Sequence, residues 1–404
     1  MEPREKRILT AVSIFHAFND ASVVALPTIF PILYTQRFLI MRYADIGTLI
    51  IIGLGVSVLL QFIVGHWAKG RHYRALLAID NFVVGVFLLL TPLARSYPML
   101  VLFYAGVRLG SSIYHPVGVA WVTHSFKGKK LDRALGIQSG FGDVGVLLAF
   151  LGTGYLAQGF GWMVPLIVWG AFNIAAGVAG LWASRGTNGA DGFDTTDERV
   201  SWKETIHDQR YLLLPALLGG LAWGITLAYG PNLLNHKLGA SMSVTGICLG
   251  GWIGAGALAG LLYGKAAERL GRYGTIIIGC AITALITCVI GFSTSLLATG
   301  ILMTLFGGSL LLTFPAILSL VASSTKSKNR TAAFSLVSNL QVAGNAAFTF
   351  IAGFMSDAWG INTPFFLLGA MALIIAVYVF ALRNRFPAAG KDIAAPETPG
   401  EIVP

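Results

Sequence analysis

The chain has 404 residues, 55% of them hydrophobic and only 11% charged, with a mean hydropathy of +0.73. Such a composition lies outside the range of soluble domains and reads as a polytopic membrane protein. The formal net charge of +10 sits in short Lys and Arg clusters between apolar segments, which marks topology and argues against a nucleic-acid partner.

Runs of about twenty apolar residues give twelve predicted membrane helices, near 8–34, 46–68, 75–94, 98–122, 134–157, 163–184, 211–233, 242–263, 274–294, 297–322, 332–355 and 363–383. The first run is too long for a cleavable signal peptide and has no small-residue cleavage pattern. It carries His16, Asn19 and Asp20 inside apolar sequence. Asp20 falls ~12 residues in, which at ~1.5 Å per residue is near the bilayer midplane. His16 and Asp20 are four apart and share a helix face. A carboxylate at that depth costs at least ~2.5 kcal/mol, so it is expected to face a watery cavity or a partner rather than lipid.

The loop after the second segment, Gly65 to Arg74, is short and basic. Asp80 and Asn81 follow about one and a half turns into the third segment, shallow enough to belong to an inner gate, with Arg74, or to snorkel. In the fourth segment Arg108 lies ~10 residues from the outer start, and in the fifth Asp143 lies ~9 residues from the inner start, so both share the depth of Asp20. Two acids and one base leave a carboxylate free to exchange a proton; the alternative is a structural ion pair of Arg108 with Asp20 or Asp143. His115 is on the face of Arg108 and suits either a proton relay or a cap on a kink at Pro116. Gly136, Gly140, Gly142, Gly145, Gly152 and Gly154 have the spacing that lets membrane helices approach closely.

Between residues 184 and 210 the sequence turns polar and divides six helices from six. The predicted organisation is an N-terminal bundle over 1–184, a linker over 185–210, a C-terminal bundle over 211–385 and a disordered tail over 386–404. Ser201-Trp202-Lys203-Glu204 can begin a short helix on the inner membrane surface. The second half has no midplane charge. Its candidates for contact with a transported molecule are Trp223, Tyr229, Trp252, Phe314, Asn339 and Asn345, an aromatic and hydrogen-bonding wall suited to an amphipathic compound or small organic ion. Cys248, Cys280 and Cys288 have no metal-ligand spacing, and no cofactor is expected. Basic residues concentrate in alternate loops, from Arg4, Lys6 and Arg7 to Arg383 and Arg385, while the other side holds only Arg37, Arg42, Arg95 and Lys237. Both termini are therefore expected inside, in a cytoplasmic membrane. There is no phosphate-binding loop and no loop long enough for a catalytic domain, so no enzyme is expected.

The loop Gly264-Lys265-Ala266-Ala267-Glu268-Arg269-Leu270-Gly271-Arg272 resembles the loop signature of the major facilitator superfamily. A tight turn needs Gly, expected at the Gly264 start, and an acid beside Arg can lock helices together. The resemblance implies two six-helix bundles related by a pseudo-twofold axis, alternating access, and gating by Glu268, Arg269 and Arg272. The first-half copy has Lys69 where the acid belongs and His72 where the second Gly belongs, implying unequal gating. An arginine in helix four is recurrent in proton-coupled members, which Arg108 matches by position. His16, Asn19-Asp20 and Ala25-Leu26-Pro27, the run Gly110-Ser111-Ser112-Ile113-Tyr114-His115-Pro116, and Ser139-Gly140-Phe141-Gly142-Asp143-Val144-Gly145 are similar to the fosmidomycin-resistance group of exporters. Asp143 stands where that group has an uncharged amide, and the Gly-Pro pair of antiporters is missing after Gly145. The resemblance implies proton-coupled export of a small molecule by a monomer in the bilayer, with Asn19 and Tyr114 on the substrate path and Asp20, His16, Arg108, Asp143 and His115 in coupling. The alternatives are a proton symporter importing an organic acid or metal chelate with Arg108 as anion partner, and a non-transporting sensor or assembly partner.

Overall fold

The computed structural model describes residues 1–67, 72–187, 201–325 and 330–385. The first crossing is α1 (Pro3–Thr28) continued by α2 (Phe30–Thr35), broken at Ile29. Pro31 causes the break, since it has no N–H and its ring displaces the carbonyl four residues earlier. α3 (Tyr43–Trp67) and α4 (Tyr73–Leu90) follow. The fourth crossing is split into α5 (Tyr97–Ser111) and α6 (Tyr114–Ser125). The proline responsible is Pro116, whose missing N–H leaves the Ser112 carbonyl without its helical donor, while the Ile113 N–H closes a tighter turn on Gly110 O at 3.1 Å. α7 (Lys129–Phe160) and α8 (Met163–Ala183) complete the first bundle.

A short helix near Trp202, as expected, forms as α9 (Trp202–Gln209), its start capped by the Ser201 hydroxyl accepting from Glu204 N. Gln209 donates to Ser324 and Thr325, which ties α9 to the second bundle. That bundle comprises α10 (Leu213–Asn232), α11 (Met242–Phe292), α12 (Leu296–Ser324), α13 (Arg330–Trp359) and α14 (Thr363–Leu382). α11 is two crossings joined at Gly271, whose φ of 67° and ψ of 167° turn the chain back on itself. The turn is therefore not at Gly264, where the loop pattern put it. Gly264 stays helical, and the left-handed φ needed by the turn falls on Gly271, which has no Cβ to oppose it.

Among the described residues nine helices are long and apolar enough to cross a membrane. The fold of α11 at Gly271, the α5–α6 pair and α13 supply the other three of twelve crossings. The protein is thus an all-helical integral membrane protein of two six-helix bundles with a pseudo-twofold relation.

The bundles meet where α7 packs on α11 and α3 on α13. These contacts lie at the end away from the chain termini. There Gly154 and Gly246 let α7 and α11 approach until a Cβ on Gly154 would sit 2.4 Å from Met242 O, and a Cβ on Gly47 would sit 3.0 Å from Phe350 Cα. Toward the terminal end, a Cβ added at Gly136 or Gly140 of α7 or at Gly254, Gly260 or Gly264 of α11 would meet no other helix within 4 Å. The cleft between the bundles opens on the side that carries the N-terminus.

Candidate functional site

Breaking a membrane helix frees polar backbone groups that lipid cannot satisfy, so they need protein partners. At the α5–α6 break three neighbouring helices provide them. From α1, Asn19 Nδ2 donates to Ser111 O at 3.3 Å. From α3, the Ser57 hydroxyl donates to Arg108 O at 3.1 Å. From α4, Asp80 Oδ1 accepts the Tyr114 N–H at 3.0 Å, and the Ile113 amide faces the same carboxylate. A carboxylate at a helix start satisfies orphan donors and meets the positive end of the helix dipole. Asp80 is wholly buried, with Asn81 Nδ2 on its other oxygen. It therefore does not snorkel, and it belongs to the support of the break.

That support positions Tyr114 and, through it, the ionisable cluster. The Tyr114 hydroxyl donates to Gln138 Oε1 at 2.7 Å, and its ring stacks on His16 with centroids 4.3 Å apart. His16 Nδ1 lies 2.7 Å from Gln138 O. A carbonyl can only accept, so Nδ1 carries a hydrogen and Nε2 is left to face Asp20 Oδ2, 3.0 Å away. His115 Nε2 stands 3.9 Å from the other Asp20 oxygen. The ligand atoms of His16, Asp20 and His115 lie within 4.8 Å of one another, a spacing able to share a proton or hold a small cation. α7 closes the cluster at Gly142, where a Cβ would come within 2.6 Å of His16 Cε1 and 2.9 Å of Asp20 Oδ2. Asp143, next in sequence, is half-buried beside it.

Several expected positions stand elsewhere. Arg108 packs its stem where Gly53 leaves room, and its Nε is buried without a partner; among the described residues it forms no ion pair with Asp20 or Asp143. Asn19 and Tyr114, expected on a substrate path, are buried with their donors committed to the break and to Gln138. Tyr229 is buried with its hydroxyl on Thr349 O at 2.6 Å. Arg74, expected at a gate, donates to Leu181 O at 2.6 Å and the Ser184 hydroxyl at 3.1 Å, holding the C-terminus of α8. Arg272 donates to Ser323 at 3.0 Å, while Glu268 and Arg269 are exposed. Lys69 lies outside the described residues.

In the second bundle Trp223 and Trp252 are 5.2 Å apart, and Trp252 stacks on Phe306. Phe314, Asn339 and Asn345 are half-buried, and Asn345 Oδ1 accepts from Thr349 at 3.2 Å. The sequence reading missed Ser57 and Gln138. A serine and a glutamine in apolar helices are the signal that could have found them, because each needs a polar partner there.

The model of the Major Facilitator Superfamily matches residues 11–239 and again 212–404. No curated protein matches the chain by sequence. Among solved structures, a bacterial homologue of the human lysosomal transporter Spinster, inward-facing and occupied, is similar with a TM-score of 0.79 at 17% identity, covering 98% of this chain and 100% of that one. The inward-facing unoccupied form of such a homologue gives 0.77 at 16% identity over 96% and 97%. A D-xylose–proton symporter gives 0.74 at 14% identity over 92% and 96%. At these identities the likeness is one of fold.

Proposed function

The chain belongs to the major facilitator superfamily, a family of transporters rather than enzymes, and on that premise we propose that it is a proton-coupled, alternating-access exporter of a small amphipathic molecule. Asp20 is the proton site. The observation that carries this reading is the 3.0 Å approach of His16 Nε2 to Asp20 Oδ2 with Nδ1 fixed on Gln138 O. With Nδ1–H committed, one proton shared between Nε2 and the carboxylate makes this contact favourable. Without it, a lone pair faces a carboxylate oxygen. Releasing the proton therefore favours turning the His16 ring away from Asp20, which gives up Nδ1–H to Gln138 O and so loosens α1 from α7, and proton binding favours the reverse. His115, 3.9 Å from Asp20 Oδ1, relays that proton toward the open cleft with Asp143 bordering the cluster, and Arg108 acts on the cluster as a positive charge.

The substrate rests between this ionisable wall and the uncharged wall of Trp223, Trp252, Phe314, Asn339 and Asn345, while Glu268, Arg269 and Arg272 close the terminal side in the opposite state. Residues 1–184 and 211–385 move as the two units about the 185–210 linker. The protein works as a monomer in a cytoplasmic membrane with both termini inside, so the conformation described opens inward. Purified protein in liposomes carrying an internal pH dye tests the coupling. A panel of lipophilic cations and neutral drugs, added outside to a population of mixed orientation, should move protons opposite to the compound.

Arg108 supports a second reading, because its buried unpaired Nε would suit an organic anion entering with a proton. Proton and compound moving in the same direction would select it.

A further inference from the structure

Between α10, α11 and α12 lies a narrow cavity lined by Gly219, Trp223, Trp252, Leu311, Thr313 and Phe314. Its volume of about 30 Å³ compares with the ~10–15 Å³ needed to hold one water. It has room for a group of two or three heavy atoms and no room for a whole ring. Trp252 is completely buried, yet its indole N–H has no partner. Gln341 Nε2 is likewise buried and unpartnered, and it lies 3.3 Å from the position a Gly219 Cβ would take. Buried polar groups are nearly always paired, and an indole N–H left alone is destabilising.

Both orphans are donors. Gln341 stands behind Gly219 rather than in the lining itself, and a water that reached both donors would accept twice but would need acceptors for its own two hydrogens. The lining is otherwise apolar apart from the Thr313 hydroxyl, which donates to Leu310 O at 2.6 Å and can accept one water hydrogen, leaving the second without an acceptor. A carbonyl oxygen carries two lone pairs and no hydrogen, which matches two donors facing an apolar wall. The ring bearing such a carbonyl would lie against Trp223 and Phe314, both half-buried, and aromatic rings favour offset contacts of that kind. No charged side chain lines the cavity.

We propose that this cavity is a specificity subsite that receives the carbonyl of an uncharged planar ring compound, with Trp252 Nε1 and Gln341 Nε2 as its donors. It rests on the reading of the aromatic wall as the substrate-facing side, and it names the chemistry that wall selects. Gly219 is small because a side chain there would fill the space between Gln341 and Phe314, 3.7 Å from the Phe314 ring.

The matched probes are tritiated 9-fluorenone and fluorene, flat rings of nearly equal size that differ in the carbonyl. Binding is measured by scintillation proximity to the full-length protein in nanodiscs, with empty nanodiscs subtracted. The wild type should bind fluorenone roughly tenfold more tightly than fluorene, the factor that one hydrogen bond of about 1.4 kcal/mol gives. Trp252→Phe, which keeps a ring and removes the N–H, should take away most of the preference for fluorenone over fluorene, read as the ratio of the two affinities in the variant. Gln341→Met should remove part of the preference, and Gly219→Ala should weaken fluorenone more than fluorene. Equal binding of the two probes by the wild type, binding of neither, or a preference that survives both Trp252→Phe and Gln341→Met would overturn the subsite. A carbonyl preference that responds to these substitutions, in a protein showing no proton-linked flux, would support the subsite while rejecting the coupling reading.

Discussion

The Asp357 carboxylate, at the end of α13, accepts the Tyr43 amide N–H at 2.8 Å and with its second oxygen the Ala44 N–H at 3.0 Å, capping α3 across the interface between the bundles. Gln158 does the same at the symmetry-related place, its Oε1 taking Ser243 N at 2.9 Å at the start of α11. Each capping residue lies four after a glycine that lets the helices touch, Gly353 or Gly154, and three before a left-handed glycine, Gly360 or Gly161. The two caps fasten the closed end of the cleft, and they must break whenever that end opens.

Removing a side-chain cap costs about 0.5–2 kcal/mol. Asp357→Ala should therefore shift the balance between the two transporter states toward the far-side-open one by about 2- to 30-fold, while Asp357→Asn, which still offers an oxygen, should shift it less. Spin labels at Gln36 and Thr294, in a background without the native cysteines, measure the far-side separation. An unchanged distance distribution in Asp357→Ala would mean that the cap does not hold this end.

Asp80 gives a different outcome because its work lies inside one bundle. Asp80→Ala leaves the Tyr114 N–H buried without an acceptor, which costs about 1–3 kcal/mol, and it releases the ring that stacks on His16. Thermal stability should fall and transport should be largely lost. Asp80→Asn keeps an oxygen at the Tyr114 amide and should hold most of the stability. If Asp80→Ala melted like the wild type, the break would be held by Asn19 and Ser57 alone.

Much of this arrangement was legible in the sequence where the relation is local. His16 and Asp20 pair because four residues make one helical turn, and twelve apolar runs of sufficient length can only be twelve crossings. The Gly264 loop carried the family resemblance, but the position of its turn depends on a backbone angle, and both Gly264 and Gly271 satisfied the pattern. Asp80 was out of reach because its partner lies on another helix, 34 residues on. Arg108 was expected to pair since two acids share its depth, but depth does not fix which way a side chain points around its helix. Asp357 sat at a helix end, where an acid is ordinary. The parallel between Gly154, Gln158 and Gly161 and Gly353, Asp357 and Gly360 was present in the sequence as an internal repeat.

The loops on the side of the N-terminus give a third expectation. Glu268 and Arg269 are exposed in this terminal-side-open state, as they would be if their partners are met only when that side closes. Glu268→Gln should raise the share of the terminal-side-open state and slow transport several-fold. Reversing Lys69 should disturb transport less. The opposite order, with Lys69→Glu the more damaging, would assign the gate to the first-half loop.

The last prediction concerns the pair at the centre of the site. Asp20→Asn puts an amide 3.0 Å from His16 Nε2, where it can donate to the ring as a protonated carboxyl would, so the pair is held in its proton-loaded arrangement and cannot empty. Flux driven by a pH gradient should be abolished, whereas exchange of labelled for unlabelled compound, which needs no net proton movement, should persist. Asp143→Asn should be milder, because Asp143 lacks the fixed imidazole partner and only borders the cluster. Gly142→Ala offers a check that alters no titrating group. Its Cβ would come within 2.6 Å of His16 Cε1, and His16 cannot retreat without giving up Gln138 O, so gradient-driven flux should drop by at least tenfold even with both acids intact. Gradient-driven flux that survived in Asp20→Asn but vanished in Asp143→Asn would move the proton site to α7 and make the His16 contact a matter of packing.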